Sequence, residues 1–103
     1  MPSEANELIH QPLRLKIMAA LNGLSSRESV EFTRLKSVVG ATDGNLGAHL
    51  STLEQAGYIK IVKDFVGKKP RTRVAMTSGG RKALAHHVAY LREILEGVPT
   101  GTN

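Results

Sequence analysis

The stretch that decides the fold is residues 32–77, FTRLKSVVGATDGNLGAHLSTLEQAGYIKIVKDFVGKKPRTRVAMT. Two short segments with helical spacing of leucine and valine lie on either side of Gly40 and Ala41, and a lysine-rich segment with alternating apolar residues follows directly. Apolar residues at i, i+4 and i+7 form one face of a helix, whereas alternation is typical of a strand. The stretch therefore predicts a helix, a tight turn, a second helix and then a basic β-hairpin.

Local signals set the expected limits of these two helices. The first begins at Thr33 or Glu31 and stops at Gly40, which accepts the left-handed backbone that other residues avoid. Thr42 or Asp43 caps the second, because a side-chain oxygen there accepts free N–H groups of the first turn. The apolar stripe of this second helix consists of Leu46, Leu50, Leu53 and Ala56.

Further elements are predicted from the same kind of signal. Pro12 suits the first turn of a helix over residues 12–24, since its missing N–H costs nothing there. Thr77 or Ser78 caps a final helix that runs to about residue 96. Strands are expected at residues 30–32, 58–66 and 72–76, with residues 67–70 as the hairpin loop.

Length and composition fit one small domain. The 103 residues, 41% of them hydrophobic, are expected to fold as a single unit, with residues 1–8 and 97–103 as flexible tails. No apolar run approaches the ~20 residues needed to span a membrane, and the first residues lack the basic-then-apolar order of a secretory signal, so a cytoplasmic location is expected. The chain has no cysteine, which excludes disulfides and thiolate zinc sites.

Positive charge is concentrated around the predicted hairpin. The chain has a formal net charge of +5, and residues 58–82 hold eight basic residues against Asp64 alone. A nearly neutral body with a basic hairpin indicates a polyanionic partner. The alternative, from charge alone, is a solvated edge hairpin whose lysines prevent strand-to-strand aggregation.

The last helix has a wider apolar face than a small core needs. A stripe running from Leu84 to Leu95 is broadened along one side by aromatic and aliphatic residues. The excess surface indicates a two-fold dimer interface, and the alternative is that the helix packs deep against the protein's own first helix. The expected interface residues are His87, Tyr90, Leu91, Ile94 and Leu95.

Two motifs carry a resemblance to a known group. GNLxxHLxxLExxGYI spans residues 44–59 and T-x-x-G-R-x-A-L spans residues 77–84, with the basic hairpin between them. Over about residues 8–96 the sequence resembles the winged-helix transcription regulators of the MarR and ArsR type. The resemblance implies an α+β, mainly α, winged helix-turn-helix fold with a three-helix core, a hairpin wing and a long C-terminal dimerisation helix.

The same resemblance implies a homodimeric regulator of double-stranded DNA. Each protomer lays the helix at about residues 42–56 in a major groove, and the wing at about residues 66–73 meets the phosphate backbone or a minor groove. A repressor is favoured over an activator, because no activation segment is visible in the sequence. Any small-molecule effector stays unidentified.

The polar face of the DNA-facing helix offers groups that can read base edges. Asn45 is suited to a bidentate bond with adenine, and His49 to a phosphate or a guanine edge. Plainer alternatives are that Asn45 caps the helix start and that His49 is an exposed helix histidine. Asp43 repels phosphate, so capping is its favoured role. The candidate DNA-reading residues are Thr42, Asp43, Asn45, His49 and Thr52.

Basic residues are expected to supply affinity more than sequence choice, because neutralising phosphates releases counterions whatever the bases are. Arg71, beside Pro70, is expected to enter a narrow, negative minor groove. Arg34 and Lys36 are candidates for backbone contacts, with a solvated helix face as an equal alternative. The candidate wing residues are Lys68, Lys69, Arg71 and Arg73.

Other function classes have less support. No acidic pair, nucleophile–histidine set or phosphate-binding glycine loop stands in a recognisable context, so no enzymatic activity is predicted. His86 and His87 are adjacent, and adjacent helical side chains point about 100° apart, so no metal or cofactor is expected, although a metal site shared across a dimer stays open. The remaining alternatives are a winged-helix protein-interaction module and a nonspecific architectural DNA binder.

Overall fold

The computed structural model describes residues 4–97. Apart from an additional short helix at residues 7–10, the order of helices and strands in that range is that of the predicted winged helix-turn-helix, which confirms the fold class. Within residues 4–97, no helix is long and apolar enough to cross a lipid bilayer. The elements are α1 (Glu7–His10), α2 (Pro12–Asn22), β1 (Val30–Glu31), α3 (Phe32–Val39), α4 (Asp43–Gln55), β2 (Ile59–Val66), β3 (Lys69–Met76) and α5 (Ser78–Gly97).

The three strands form one antiparallel sheet in the order β1-β3-β2. Only Gly67 and Lys68 lie between β2 and β3, and Gly67 adopts a left-handed backbone with φ 63°. The hairpin loop is therefore two residues shorter than the predicted residues 67–70, because Lys69 and Pro70 already pair with β2. A tight turn of this kind needs the positive φ that glycine provides at little cost.

The hydrophobic core lies between α2, α3, α4 and one face of the sheet. Ile17 on α2, Leu35 on α3 and Val74 on β3 are buried together with the three leucines of the predicted stripe of α4, whereas Ala56, predicted to extend that stripe, is exposed just beyond the helix. Each such side chain contributes roughly 1.5–3 kcal/mol when it leaves water. The core therefore fixes α4 with one face inward and the opposite face available. The buried residues of α4 are Leu46, Leu50 and Leu53.

The turn between α3 and α4 follows its local signals. Gly40 ends α3 in the left-handed conformation, with φ 68°, and its N–H donates to the Lys36 carbonyl at 2.9 Å. Thr42 caps α4, since its Oγ1 accepts the Asn45 N–H at 3.2 Å. Asp43 is instead the first residue of the helix, so the capping role favoured for it is wrong.

The described part of the N-terminal segment is docked, which differs from the flexible tail expected there; residues 1–3 of that expected tail lie outside the described residues. The Asn6 side chain caps α1 by accepting the Ile9 N–H at 3.0 Å, and Ile9 is fully buried. The Asn6 backbone N–H donates to Nδ1 of His87, and its Nδ2 donates to the Tyr58 hydroxyl, each at 3.0 Å. One asparagine therefore joins α1, α5 and the start of the hairpin. Of the expected C-terminal tail, residues 98–103 lie outside the described residues.

The first turn of α5 packs against the base of the hairpin. Thr77 Oγ1 accepts the Gly80 N–H at 2.9 Å and donates to the Gly57 carbonyl at 2.6 Å. Gly80 is buried, and a Cβ placed on it would lie 2.1 Å from the Tyr58 carbonyl oxygen. Only a residue without a Cβ fits this close approach, which explains the glycine of the T-x-x-G-R-x-A-L motif.

Candidate nucleic-acid interface

The polar face of α4 is open at its N-terminal end. Thr42, Asp43 and Asn45 are exposed, while Leu46 on the opposite side is fully buried. Within residues 4–97 the Asn45 side-chain amide has no hydrogen-bond partner. Its donor and acceptor are therefore both available for the bidentate contact that an adenine edge offers.

Two glycines leave this part of the α4 surface without side-chain bulk. A Cβ placed on Gly44 or on Gly47 would meet no atom within 4 Å. Close packing against a neighbouring element therefore does not account for either glycine, although each lowers helix propensity by roughly 1 kcal/mol relative to alanine. The small residues leave room for an external surface to approach the helix backbone.

The carboxylate at the start of α4 is paired with α3. Asp43 Oδ1 lies 2.8 Å from Lys36 Nζ, and both side chains are substantially exposed. An exposed pair of this kind contributes at most about 1 kcal/mol and exchanges readily. Its main effect is to offset the negative charge that would repel phosphate. Arg34, on the same helix, is exposed and has no ionic partner within the described residues.

His49 and Thr52, the candidate DNA-reading residues in the middle of α4, form hydrogen bonds within the protein. His49 Nδ1 lies 3.0 Å from Nη1 of Arg14 on α2. A guanidinium only donates, so Nδ1 accepts and the hydrogen-bond network assigns the proton of the neutral ring to Nε2. Half-buried His49 is thus an oriented N–H donor rather than a free surface residue. Thr52 Oγ1 donates to the Ala48 carbonyl at 3.2 Å, which occupies its hydrogen.

Asp64 binds both arginines of the wing. Arg71 Nε and Nη2 lie 3.0 and 2.9 Å from its two carboxylate oxygens, and Arg73 Nη2 lies 2.9 Å from Oδ2. The hydrogen bond from Arg71 is the main cause that lowers the pKa of Asp64 to about 2. In this arrangement Arg71 is not free to enter a minor groove, contrary to expectation, because its guanidinium is held by the carboxylate.

The lysines at the hairpin tip are free by contrast. Lys68 and Lys69 are exposed, and neither forms an ion pair in the part of the chain that the structure describes. Their charge is not offset by a neighbouring carboxylate, whereas Asp64 offsets part of the charge on the strands. The tip is therefore the part of the wing best able to attract phosphate.

One open groove separates α4 from the hairpin. It has a volume of about 590 Å³ and is lined by Gly47 and Ser51 from α4 and by Lys63 from β2. Glu54, also on its lining, accepts the Ile61 N–H at 3.1 Å and so satisfies a backbone donor on the free edge of β2. Residues of α4 and a lysine of the wing strand β2 thus line a single concavity.

The candidate dimer-interface residues on α5 differ in exposure: one is buried, and those near the end of the helix are exposed. His87 is fully buried inside the protomer, with Nε2 3.3 Å from Nδ1 of His10. It has no surface to offer a partner, so the expectation that it lies in a dimer interface is wrong. The other candidates become more exposed toward the end of the helix: Tyr90 and Leu91 are half-buried, Ile94 is 43% exposed and Leu95 is 82% exposed.

The contacts of His87 require its neutral form. Nδ1 accepts the Asn6 N–H, so the ring proton lies on Nε2, which faces His10. Burial is the main cause that lowers the pKa of His87; His10 lowers it further, and Glu7 opposes the shift. Within residues 4–97 no group of three or more His, Cys, Asp or Glu side chains could hold a metal ion.

Sequence reasoning missed two residues that determine the geometry of this surface. Arg14 lies 35 positions from His49, on another helix, so no local pattern links them. Asp64 stands opposite Arg71 in the strand pairing, and the pairing was obtainable once the two-residue turn was known. The four-residue loop expected from the sequence would instead have shifted the pairing, so that Asp64 and Arg71 were not opposite each other.

Comparisons with known proteins agree with this geometry. A winged helix DNA-binding domain family model matches residues 13–95. An uncharacterised protein of Methanocaldococcus jannaschii is 36% identical over 90 residues, which cover 87% of this chain and 91% of the relative. The structure of a transcriptional regulator homologue from Pyrococcus horikoshii OT3 matches with a TM-score of 0.80 and 29% identity, covering 91% and 90% of the two chains. A putative MarR-family transcriptional regulator from Porphyromonas gingivalis W83 has the same fold, with a TM-score of 0.67 and 20% identity, covering 89% and 86%.

Proposed function

We propose that this chain, which belongs to the family of winged helix DNA-binding domains and is a DNA-binding transcriptional regulator, acts as a homodimeric, sequence-specific repressor. The observation that carries the proposal is that α4 and the wing strands line one groove, while the exposed polar residues of the first turns of α4 and the exposed lysine tip of the wing lie on these same two elements. A helix and a hairpin placed in this way contact adjacent grooves of a duplex. Such a protein works beside DNA in the cytoplasm.

Sequence choice is assigned to the N-terminal half of α4. The major groove is about 12 Å wide and admits one helix, with the residues of its first turns nearest the base edges. Asn45 has a free amide, and His49 is oriented by Arg14 to present its Nε2–H. A good bidentate pair discriminates against a wrong base by about 1–3 kcal/mol.

The groove beside α4 suits the phosphate backbone that separates a major from a minor groove. Lys63 and Ser51 line it and offer donors to phosphate oxygens, while Lys68 and Lys69 extend the positive surface along the wing. These contacts give affinity and register without reading sequence. The affinity they give falls steeply with salt.

Dimerisation is assigned to the exposed end of α5. Ile94 and Leu95 are apolar and exposed at the end of a 20-residue helix, a costly arrangement for a surface that stays in water. Packing the same face of two copies about a two-fold axis covers both. Two α4 helices then occupy two half-sites, and the bound dimer represses by blocking access to the duplex.

The first experiment is fluorescence anisotropy of a labelled random-sequence duplex, titrated at several salt concentrations. The wild type is expected to bind with a steep salt dependence, and Lys68→Ala/Lys69→Ala to bind more weakly with a flatter one, since two phosphate contacts per wing are lost. Lys16→Ala/Lys82→Ala removes the same charge from exposed positions on α2 and α5 and serves as the control. Equal losses in both double variants would contradict a DNA-contacting wing.

Sequence preference and dimerisation are tested separately. Selection from a random duplex library is expected to enrich a two-fold symmetric site, and Asn45→Ala to relax the preference at one position of each half-site. Binding without enrichment would instead indicate an architectural DNA binder. Sedimentation is expected to give a dimer for the wild type and a monomer for Leu95→Glu, a change at an exposed position that leaves the protomer core intact.

A further inference from the structure

The hairpin carries an exposed apolar pair that the proposed contacts do not use. Phe65 is 69% exposed and Val66 is 56% exposed, at the end of β2 beside the Gly67 turn. An isolated exposed apolar residue needs no explanation. Here, however, an aromatic ring and a β-branched side chain are adjacent in sequence, on opposite faces of a two-stranded hairpin whose tip carries exposed lysines. That combination indicates a partner that is both apolar and anionic.

The strand pairing places Phe65 on the face of the hairpin that forms the groove. Side chains alternate along a strand, so Ile61, Lys63 and Phe65 share one face, and the first two of these line the groove beside α4. Across the hairpin Phe65 stands opposite Pro70, which extends the same apolar surface. The carboxylate that binds the wing arginines, Asp64, is on the other face.

We propose that the Phe65 ring is the minor-groove contact of this wing, packing against the deoxyribose walls and the edge of a base step. The proposal rests on the proposed DNA binding. Minor-groove proteins commonly insert an apolar side chain such as phenylalanine at a base step, which partly unstacks it. Lys63 lies on the same face of the hairpin as the ring, and exposed Lys68 and Lys69 follow in the turn and at the start of β3, close enough along the hairpin to hold the phosphates beside such a groove.

The usual electrostatic alternative, an arginine in the minor groove, is disfavoured by the contacts of the wing. Arg71 would have to break its two hydrogen bonds to Asp64, and Arg73 is bonded to the same carboxylate. Charge-assisted bonds of this geometry are about twice as strong as neutral ones. The ring needs no such rearrangement, because it is already largely exposed.

Charge also argues against a second copy of this chain as the occupant. The lysines around Phe65 form no ion pairs within residues 4–97, so two wings brought together would repel each other. A duplex offers phosphates to the lysines and sugar surface to the ring. Duplex DNA is therefore the partner that satisfies both features at once.

The proposal is tested by comparing Phe65→Ala with Lys68→Ala/Lys69→Ala in the anisotropy titration. Losing an apolar contact releases no counterions, so Phe65→Ala is expected to weaken binding about tenfold at every salt concentration with an unchanged salt dependence. The lysine variant is expected to flatten the salt dependence. Because Phe65 is largely exposed, its truncation is expected to leave thermal unfolding of the protein unchanged.

A conservative variant adds a direct readout. The chain contains no tryptophan, so Phe65→Trp introduces a single fluorophore at the proposed contact. Its affinity is expected to match that of the wild type, and duplex DNA is expected to quench its emission through contact with the bases. Wild-type affinity in Phe65→Ala, an altered salt dependence in that variant, or unquenched tryptophan emission in the DNA complex would each overturn the proposal.

The results distinguish a failure of this inference from a failure of the proposed function. If the wild type binds no DNA, both fail. If the wild type binds with a steep salt dependence but Phe65→Ala binds equally well, only the minor-groove assignment fails. A change in sedimentation of Phe65→Ala, with DNA affinity intact, would assign the apolar pair to contact between copies and would likewise overturn the proposal.

Discussion

Replacing Gly80 by alanine is expected to destabilise the protein strongly, although alanine is the better helix former. The new Cβ would lie 2.1 Å from the carbonyl oxygen of Tyr58, 2.9 Å from its carbon and 3.1 Å from Cγ of Met76. That carbonyl cannot simply turn away, because it accepts the Thr77 N–H at 3.1 Å. The first turn of α5 must therefore move by more than about 1 Å away from the hairpin base.

The expected change in the free energy of unfolding is the sum of three contributions, two destabilising and one stabilising. Overpacking of a tight contact costs about 1–3 kcal/mol, and weakening the Thr77 hydrogen bond costs about 1 kcal/mol more. The better helix propensity of alanine returns up to about 1 kcal/mol. The net loss for Gly80→Ala is about 1–3 kcal/mol, which corresponds to a fall in Tm of roughly 5–25 °C for a domain of this size.

The neighbouring glycine supplies a matched control. A Cβ on Gly79 would lie 3.7 Å from the Gly57 carbonyl oxygen and 3.7 Å from Thr77 Oγ1, which is ordinary contact. Gly79→Ala is therefore expected to be as stable as the wild type or slightly more stable. Urea unfolding followed by circular dichroism at one fixed protein concentration compares the three proteins, because any dimer makes the midpoint depend on concentration. A midpoint for Gly80→Ala equal to that of Gly79→Ala would refute the reasoning.

Two further predictions concern charge. The folded protein holds the pKa of His87 below its ordinary value of 6.5, so the unfolded chain binds a proton first and stability falls as pH drops below about 7, by at most about 1.4 kcal/mol per pH unit. Thermal unfolding between pH 7.5 and 5 measures this; His87→Gln should flatten the dependence, and an unchanged wild-type Tm across that range would contradict it. Asp64→Asn releases Arg71 and Arg73, so anisotropy titrations should show several-fold tighter binding to random-sequence DNA and a steeper salt dependence. Unchanged affinity in Asp64→Asn would mean that the two arginines do not reach DNA even when free.

The elements of the fold were predictable because their signals are local. Gly40 ends α3 in the left-handed conformation, and Thr42 caps α4, each identifiable from residue type and position. The exposed polar face of α4 was predictable for the same reason, since its leucine stripe fixes the opposite side. Local periodicity was sufficient wherever one helix alone determines which side chains are exposed.

The environment of individual side chains was not predictable, because it depends on contacts between distant segments. His87 has the spacing of an interface residue, yet its burial depends on Asn6, 81 positions away. His49 looks like a free helix residue until Arg14 of α2 is placed beside it. For the wing, the assumed four-residue loop would have set Asp64 opposite Arg73, whereas the two-residue turn sets it opposite Arg71.

Asn6 makes α5 and the wing mechanically dependent on each other. Its backbone N–H is bonded to His87 in the middle of α5, and its side chain is bonded to Tyr58, where the hairpin begins. A hydrogen bond tolerates only a few tenths of an ångström of stretching before it is lost. Any sliding of α5 along its axis must therefore carry the root of the wing with it or detach α1 from both. In the proposed dimer, the distance between the two wings would in this way be coupled to the position of the α5 helices.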